Sequence, residues 1–268
     1  MNIRLLGTGA ADGIPGFFGN DSVSCYAREN GGKDVRTRSA ALVDGVLKID
    51  FPPDTLNQVQ RNSLDALDWT ALLFTHSDDD HFAVDELQYA LFPFTDLDHL
   101  PYTIFANRQI CEEIRGRYPD WPIELFETRS FESFTHGAYT IMPVRATHIA
   151  DEDCHNLIIE KDAKKILYAT DTGIWPKETF EFLKGYRLDL LVIECTDGFN
   201  DSIYNGHLNI RAVVQVVSTL RLEGILDSSS RVVTTHHGHH GDARHCDLER
   251  AFSPHQIEPG YDGMLIEI

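Results

Sequence analysis

Basic residues are scarce in this chain: 23 Lys and Arg stand against 42 Asp and Glu over 268 residues, a formal net charge of −19. A polyanion approaching such a molecule meets a repulsive field and finds no basic face for its phosphates, which excludes a general nucleic-acid binder. A small anionic substrate held by a local positive site is still allowed. Long apolar runs are missing too. No stretch approaches the roughly 20 residues of a membrane span. The apolar part of Met1-Asn2-Ile3-Arg4-Leu5-Leu6-Gly7 is too short for a signal-peptide core, so a cytoplasmic protein without a membrane partner is expected. Cysteine is sparse: Cys25, Cys111, Cys154, Cys195 and Cys246 are odd in number and form no CxxC pair, which argues for reduced thiols rather than a disulfide framework. There is no low-complexity tract and no Pro/Gly/Ser linker long enough to part domains, so residues 1–268 read as a single domain. Gly7 to Gly32 stands out only as glycine-rich and poorly periodic.

Hydrophobic residues make up 42% and charged residues 24%, enough for a sizeable core. Short apolar runs predict strands at Ile3–Leu6, Ala40–Val43, Val46–Ile49, Ala71–Phe74, Tyr102–Phe105, Tyr139–Val144, Leu157–Glu160, Ile166–Ala169, Leu188–Ile193, Arg231–Thr234 and Met264–Ile268. Helical spacing falls at Asp54–Asn62, Val84–Leu91, Arg108–Tyr118, Pro176–Leu183 and Ile210–Leu222, the last behind an Asn209 N-cap. Lys161-Asp162-Ala163-Lys164 reads as a hairpin turn. Strands this dense, with hairpins among them, fit an α/β fold of two sheets with helices outside better than one doubly wound parallel sheet.

Histidine is conspicuous, with 13 copies, and four predicted strands end in one pattern. Thr75 precedes His76, Thr147 precedes His148, Thr170 precedes Asp171 and Thr235 precedes His236, each after an apolar run. Strand ends deliver side chains rigidly to a sheet rim, and the threonines are placed to hydrogen-bond the metal-ligand types beside them. One such end reads equally well as a surface histidine; four together point to a metal. The first continues as His76-Ser77-Asp78-Asp79-Asp80-His81, where three adjacent carboxylates repel one another unless cations compensate.

That loop resembles the HxHxDH motif of the metallo-β-lactamase superfamily, and His148, Asp171 and His236 follow in the order of its remaining ligands. The resemblance implies a four-layer αββα sandwich with a metal site at one sheet edge. Within the superfamily the chain is similar to the cyclic phosphodiesterases of phosphonate breakdown, through Leu5-Leu6-Gly7-Thr8-Gly9-Ala10 with Gly13 and Pro15, Asp171-Thr172-Gly173, Gly206-His207-Leu208-Asn209, Thr235-His236 through His239, and Gly260-Tyr261-Asp262-Gly263-Met264. It implies two divalent metal ions (Mn, Fe or Zn): one on His76, Asp78 and His148, the other on Asp80, His81 and His236, with Asp171 bridging. Such a pair acidifies a bridging water and clamps both oxygens of a phosphoryl displacement, which describes a phosphodiesterase acting on a small cyclic or linear phosphate ester. Asp80 and His207 are the residues expected to serve catalysis, His207 by protonating the leaving group.

Two departures from the family pattern stand out. Asp78 replaces the motif's second histidine, which makes the first metal's ligands richer in oxygen and better suited to Mn²⁺ or Fe²⁺. The family's structural zinc cluster is reduced to Cys25 and the late His239, too few for a tetrahedral site, so no third metal is expected. His155, His237 and His240 remain open between pocket and bystander roles, while His99, His136, His245 and His255 are expected to be solvated. Phe92, Phe94 and Trp175 read as core or pocket wall. The alternatives are a lactone or thioester hydrolase, a redox-type di-iron protein and a binding protein on the same fold. The expected partners are a small anionic substrate and, at most, a second copy of the chain in a homodimer.

Overall fold

The computed structural model describes residues 1–97, 102–201 and 204–268, so His99 lies outside the described residues. The strands, in chain order, are β1 (Asn2–Gly7), β2 (Ala40–Val43), β3 (Leu47–Ile49), β4 (Ala71–Leu73), β5 (Thr103–Ala106), β6 (Leu125–Glu127), β7 (Phe134–His136), β8 (Tyr139–Arg145), β9 (His155–Lys161), β10 (Lys164–Ala169), β11 (Leu190–Glu194), β12 (Arg231–Thr235), β13 (Glu258–Pro259) and β14 (Leu265–Glu267). They form two sheets, ordered β14-β1-β2-β3-β4-β5-β6 and β13-β12-β11-β10-β9-β8-β7. The helices are α1 (Ser22–Asn30), α2 (Thr55–Arg61), α3 (Arg108–Arg117), α4 (Lys177–Leu183), α5 (Ile210–Leu222) and α6 (His245–Phe252). This is the αββα sandwich expected from the resemblance.

The central strands read as unbroken apolar runs because both of their faces are covered. Along β10, Ile166 and Tyr168 turn into the core between the sheets, while Leu167 and Ala169 pack outward under α5 and α6. Strand β11 divides the same way, Leu190 and Val192 inward and Leu191 and Ile193 outward. On the other sheet, Ala71 and Leu73 of β4 face inward, and Leu72 faces a cluster with Ile110 and Ile114 of α3. The Asn209 cap is formed, its side-chain oxygen accepting from the Ala212 N–H at 2.9 Å. The hairpin turn is formed as well, with Asp162 and Ala163 both at positive φ.

The differences from expectation lie at the margins. Strands β6, β7 and β13 have no counterpart in the predicted set, and each is an edge strand of two or three residues, too short to show an apolar pattern. The stretch inside Gly7 to Gly32 contains α1, capped by Asp21, whose Val23 and Ala27 pack on Ile14. Helix α6 is likewise new, and Val84–Ala90 is a 3₁₀ rather than an α-helix. His245 is buried rather than solvated, with Nδ1 3.0 Å from the guanidinium of Arg36. Phe92 and Phe94 are exposed, whereas Trp175 is core, its indole N–H donating to Asn156. Among the described residues no helix is long and apolar enough to cross a membrane.

At one end of the sandwich the sheets are tied together. His237 donates its backbone N–H to Thr8 and accepts from Ala10, and the His155 N–H donates to the Thr75 carbonyl, all at 2.8–3.0 Å. Strands β3, β4, β8, β10, β11 and β12 all finish at this end, which fixes the loops that follow them.

Candidate metal centre

The loops after these strand ends bring together every ligand-type residue of the sequence pattern. His81 Nε2 lies 2.9 Å from Asp171 Oδ2, 3.2 Å from Asp80 Oδ2 and 3.3 Å from His236 Nε2. His236 Nε2 is itself 3.1 Å from Asp171 Oδ2 and 3.4 Å from Asp80 Oδ2. Next to this group, Asp78 Oδ2 sits 2.9 Å from His148 Nε2 and 3.5 Å from His76 Nε2. His148 Nε2 is 3.8 Å from Asp171 Oδ1, so the two oxygens of Asp171 face the two halves of the cluster.

Each of the four imidazoles is held through its other nitrogen. His81 Nδ1 donates to Asp50 Oδ2 at 2.8 Å. His76 Nδ1 lies 2.9 Å from Thr75 Oγ1, whose hydroxyl donates to the same Asp50 carboxylate. His236 Nδ1 lies 2.9 Å from Thr196 Oγ1, which donates to Glu194. His148 Nδ1 points to the carbonyl of Gly206 at 3.3 Å. A hydroxyl that donates to a carboxylate accepts from the ring, which places the proton on Nδ1 and leaves the Nε2 lone pair facing the centre. Gly206 allows this approach, since a Cβ there would stand 2.9 Å from His148 Nδ1.

The local backbone is bent to this end. Asp50, Asp171 and His236 all sit at positive φ (57°, 43° and 52°), turning the chain sharply at the ends of β3, β10 and β12. Aspartate and histidine adopt that conformation more readily than most residues, though each position carries some strain.

The donor chemistry fits divalent cations. Among the described residues His76 Nε2 is buried without a hydrogen-bond partner, with Asp78 Oδ2 at 3.5 Å. Burial opposes the charged form of His81, yet Asp171, Asp80 and Asp50 hold its imidazole well above the ordinary value. His148 and then His76 hold the Asp78 carboxyl well below the usual carboxylate range. The cluster is a sink for positive charge at the edge of a strongly acidic protein. Among the described residues, four groups of converging ligand atoms lie close enough to hold an ion: His76 with His148 and Asp171, Asp80 with His81 and His236, Asp171 with His207 and His236, and, apart from these, Asp12 with His239 and His240.

His207 stands beside this centre. Its Nδ1 is 3.0 Å from Glu194 Oε1 and 3.9 Å from Asp171 Oδ1. Burial pushes the imidazolium down, but the hydrogen bond and charge of Glu194 outweigh it and hold the group up at about 9. His207 also lines a cleft of about 400 Å³ with Thr147, Asn205 and Asn209.

Glu194 and Asp50 do not appear among the expected site residues. Glu194 is fully buried and accepts from His207, from Thr196 and from the backbone of Thr172 and Leu208. Both carboxylates follow apolar strands, Ile49 before Asp50 and Ile193 before Glu194, so a strand-then-carboxylate pattern would have found them. The threonine expectation is half met: Thr75 and Thr170 bond to His76 and Asp171, while Thr147 donates to Ile174 and Thr235 finds no partner among the described residues. His155 is buried against Asp153 and Thr128, and His237 is buried beside Thr234, so both stand as structural residues. His239 bonds Asp21 and Asp12 at 2.7 Å, and these contacts leave the exposed Cys25 out.

The chain belongs to the β-lactamase superfamily domain family, whose model matches residues 42–237. Its structure is similar to a diphosphatase from the PhnP family, at 20% identity and a TM-score of 0.79 over 100% of this chain and 96% of the other. It is also similar to Zn²⁺-bound PqqB from Methylobacterium extorquens, at 17% identity and a TM-score of 0.80 over the whole of both chains. A third likeness is the short form of human tRNase Z, at 17% identity and a TM-score of 0.68 over 100% of this chain and 99% of the other. At these identities the likeness establishes the metallo-β-lactamase sandwich fold. No curated protein sequence matches the chain.

Since Asp50 holds two imidazoles at once, Asp50→Asn is expected to weaken metal binding by about 10–100-fold, the usual scale for a lost partner of a ligand. Competition titration with a chromogenic chelator measures this. Wild-type affinity in a folded Asp50→Asn protein would make Asp50 a bystander.

Proposed function

We propose that the protein is a metal-dependent phosphodiesterase that hydrolyses a small cyclic or linear phosphate ester. The observation that carries this reading is His207, fixed by Glu194 against the centre and open to a cleft. In this reading His76, Asp78 and His148 hold one divalent ion, Asp80, His81 and His236 hold the other, and Asp171 serves both. When bound, the two cations supply Lewis acidity and acidify a water. The protein's own part is orientation and proton transfer. The three carboxylates at 78, 80 and 171 balance the charge of the site, and Asp80 keeps His81 and His236 aligned.

His207 supplies the proton. With Nδ1 committed to Glu194, its Nε2 donates to the departing oxygen, which otherwise leaves as a poor alkoxide. A pKa held at about 9 keeps the acid form populated at neutral pH, and cations at the neighbouring cluster draw the value back toward neutrality. A thioester, whose thiolate leaves without a proton, makes less use of such an acid than a phosphate ester with an alkyl leaving group. The diphosphatase among the structural relatives agrees with a phosphoryl substrate. The net charge of −19 argues against a nucleic-acid polymer even though a tRNase Z shares the fold.

Asp78 sets the metal. A carboxylate beside His76 and His148 favours harder cations, so Mn²⁺ or Fe²⁺ is expected to support faster turnover than Zn²⁺. The variant Asp78→His should move the preference toward Zn²⁺, as read by steady-state rates on apo-protein reloaded with each metal. An unchanged order of metals would remove Asp78 from the ligand set.

Hydrolysis itself is tested with phosphodiesters of graded leaving groups. His207→Ala should lower kcat by about 10²–10⁴-fold for a ribosyl cyclic phosphate and far less for bis(p-nitrophenyl) phosphate, whose leaving group scarcely needs a proton. In the wild type, the slow substrate should lose rate as pH rises through the His207 pKa, because the protonated imidazole is the working form. Activity confined to lactones or thioesters would overturn the phosphodiesterase reading.

A further inference from the structure

Strand β3 carries one residue at odds with its surroundings. Leu47 and Ile49 point into the core between the sheets, so Lys48 points to the outer face. Its register partners are Leu42 of β2 and Leu72 of β4, both members of the apolar cluster that packs against α3. The side chain is 0% exposed, and the ring centroids of Phe51 and Trp69 stand 6.0 and 5.8 Å from Nζ. Lysine is almost never enclosed this far without a partner, because moving an ammonium out of water is costly. Burial draws the Lys48 ammonium down to about 7, although the Asp50 carboxylate opposes that shift. A leucine would fill the same space at less cost.

What Lys48 engages is the end of its own strand. Nζ donates to the backbone carbonyl of Ile49 at 3.2 Å and, more closely, to that of Asp50. Asp50 is where the chain leaves the ladder, at a φ of 57°. Its N–H donates to the Leu73 carbonyl at 2.9 Å. Its carboxylate accepts from His81 Nδ1 at 2.8 Å and from Thr75 Oγ1 at 3.0 Å. With the N–H held by Leu73 and the carbonyl by Lys48, the peptide planes on both sides of the Asp50 Cα are fixed. The direction of the bond that carries the carboxylate is fixed with them. Charged or neutral, the Lys48 nitrogen has protons to donate to a carbonyl.

We infer that Lys48 is a positioning residue of the metal centre: by fixing the Asp50 carbonyl it aims the Asp50 carboxylate, and through it the rings of His81 and His76, toward the cluster. The inference rests on the reading of His76 and His81 as metal ligands. It also explains why a lysine occupies an apolar layer, where only a side chain of that length with a donor at its tip reaches the turn from the middle of the strand.

The test is a double-mutant cycle on the whole chain, read as Mn²⁺ affinity by competition with a chromogenic chelator. Lys48→Met keeps the length of the side chain and removes its donors, and is expected to weaken binding by about 3–10-fold, less than the loss of the Asp50 charge itself. Asp50→Gly keeps the left-handed backbone and removes the carboxylate. In that background Lys48→Met should change affinity by less than about twofold, whereas a residue that merely stabilises the fold would weaken binding equally in both. In metal-free protein the His81 Nδ1–H proton resonance should shift in Lys48→Met, while that of His148, which faces the Gly206 carbonyl, stays in place. In the wild type, a scalar coupling from Lys48 Nζ to the Asp50 carbonyl carbon reports the contact without any variant. Failure of the wild type to bind metal would overturn the ligand reading and the inference with it. Metal binding by the wild type together with unchanged affinity in folded Lys48→Met, equal losses in both backgrounds, or no coupling from Nζ to Asp50 would overturn the role of Lys48 alone.

Discussion

The hydrogen bonds to four histidine Nδ1 atoms are the constraint on which the centre depends. An imidazole that is free to spin offers a metal either nitrogen, or neither. Here Asp50 fixes His81 directly and His76 through Thr75, Glu194 fixes His236 through Thr196, and the Gly206 carbonyl faces His148. Each ring then presents Nε2 to the same small volume, and Asp171 closes it from between. The geometry is rigid because its supports are buried at the ends of strands covered on both faces. Three left-handed residues, each costing about 1–3 kcal/mol, are tolerated because the two sheets over-determine the chain around them.

Charge runs in opposite directions at two scales. The molecule as a whole is strongly negative and repels anions that come within roughly one Debye length, about 8–10 Å, of its surface. The centre collects carboxylates so closely that positive charge must enter, as the raised His81 imidazole already shows. Loaded with cations, such a site attracts an anion only at short range, which favours small substrates that can reach the rim over large ones held by a surface. The Glu194 carboxylate connects the two halves of the chemistry: one oxygen holds His207 and the other holds the support of His236.

Much of this was legible in the sequence, and for a physical reason. Strands buried on both faces must be continuous apolar runs, so β4, β10 and β12 announced themselves, and the ligand residues stood directly after them. Asn209 was readable because an N-cap has a local chemical signature. Edge strands β6, β7 and β13 were not, since two or three residues paired on one side need no apolar pattern. Helix α1 hid in a glycine-rich stretch because it buries little more than Val23 and Ala27. For Asp50 and Glu194 the carboxylate after an apolar strand marks a candidate position, but their partners His81 and His207 stand 31 and 13 residues away, so what each one supports shows only in the fold.

The proposed site stands or falls with Asp171, the one residue placed to join two ions. Metal quantification of Asp171→Ala beside the wild type, both purified without chelators and checked for fold by circular dichroism, tests that role. Close to two ions per wild-type chain are expected, and loss of both, with turnover, in the variant. Retention of both ions by folded Asp171→Ala would show that Asp171 does not join them.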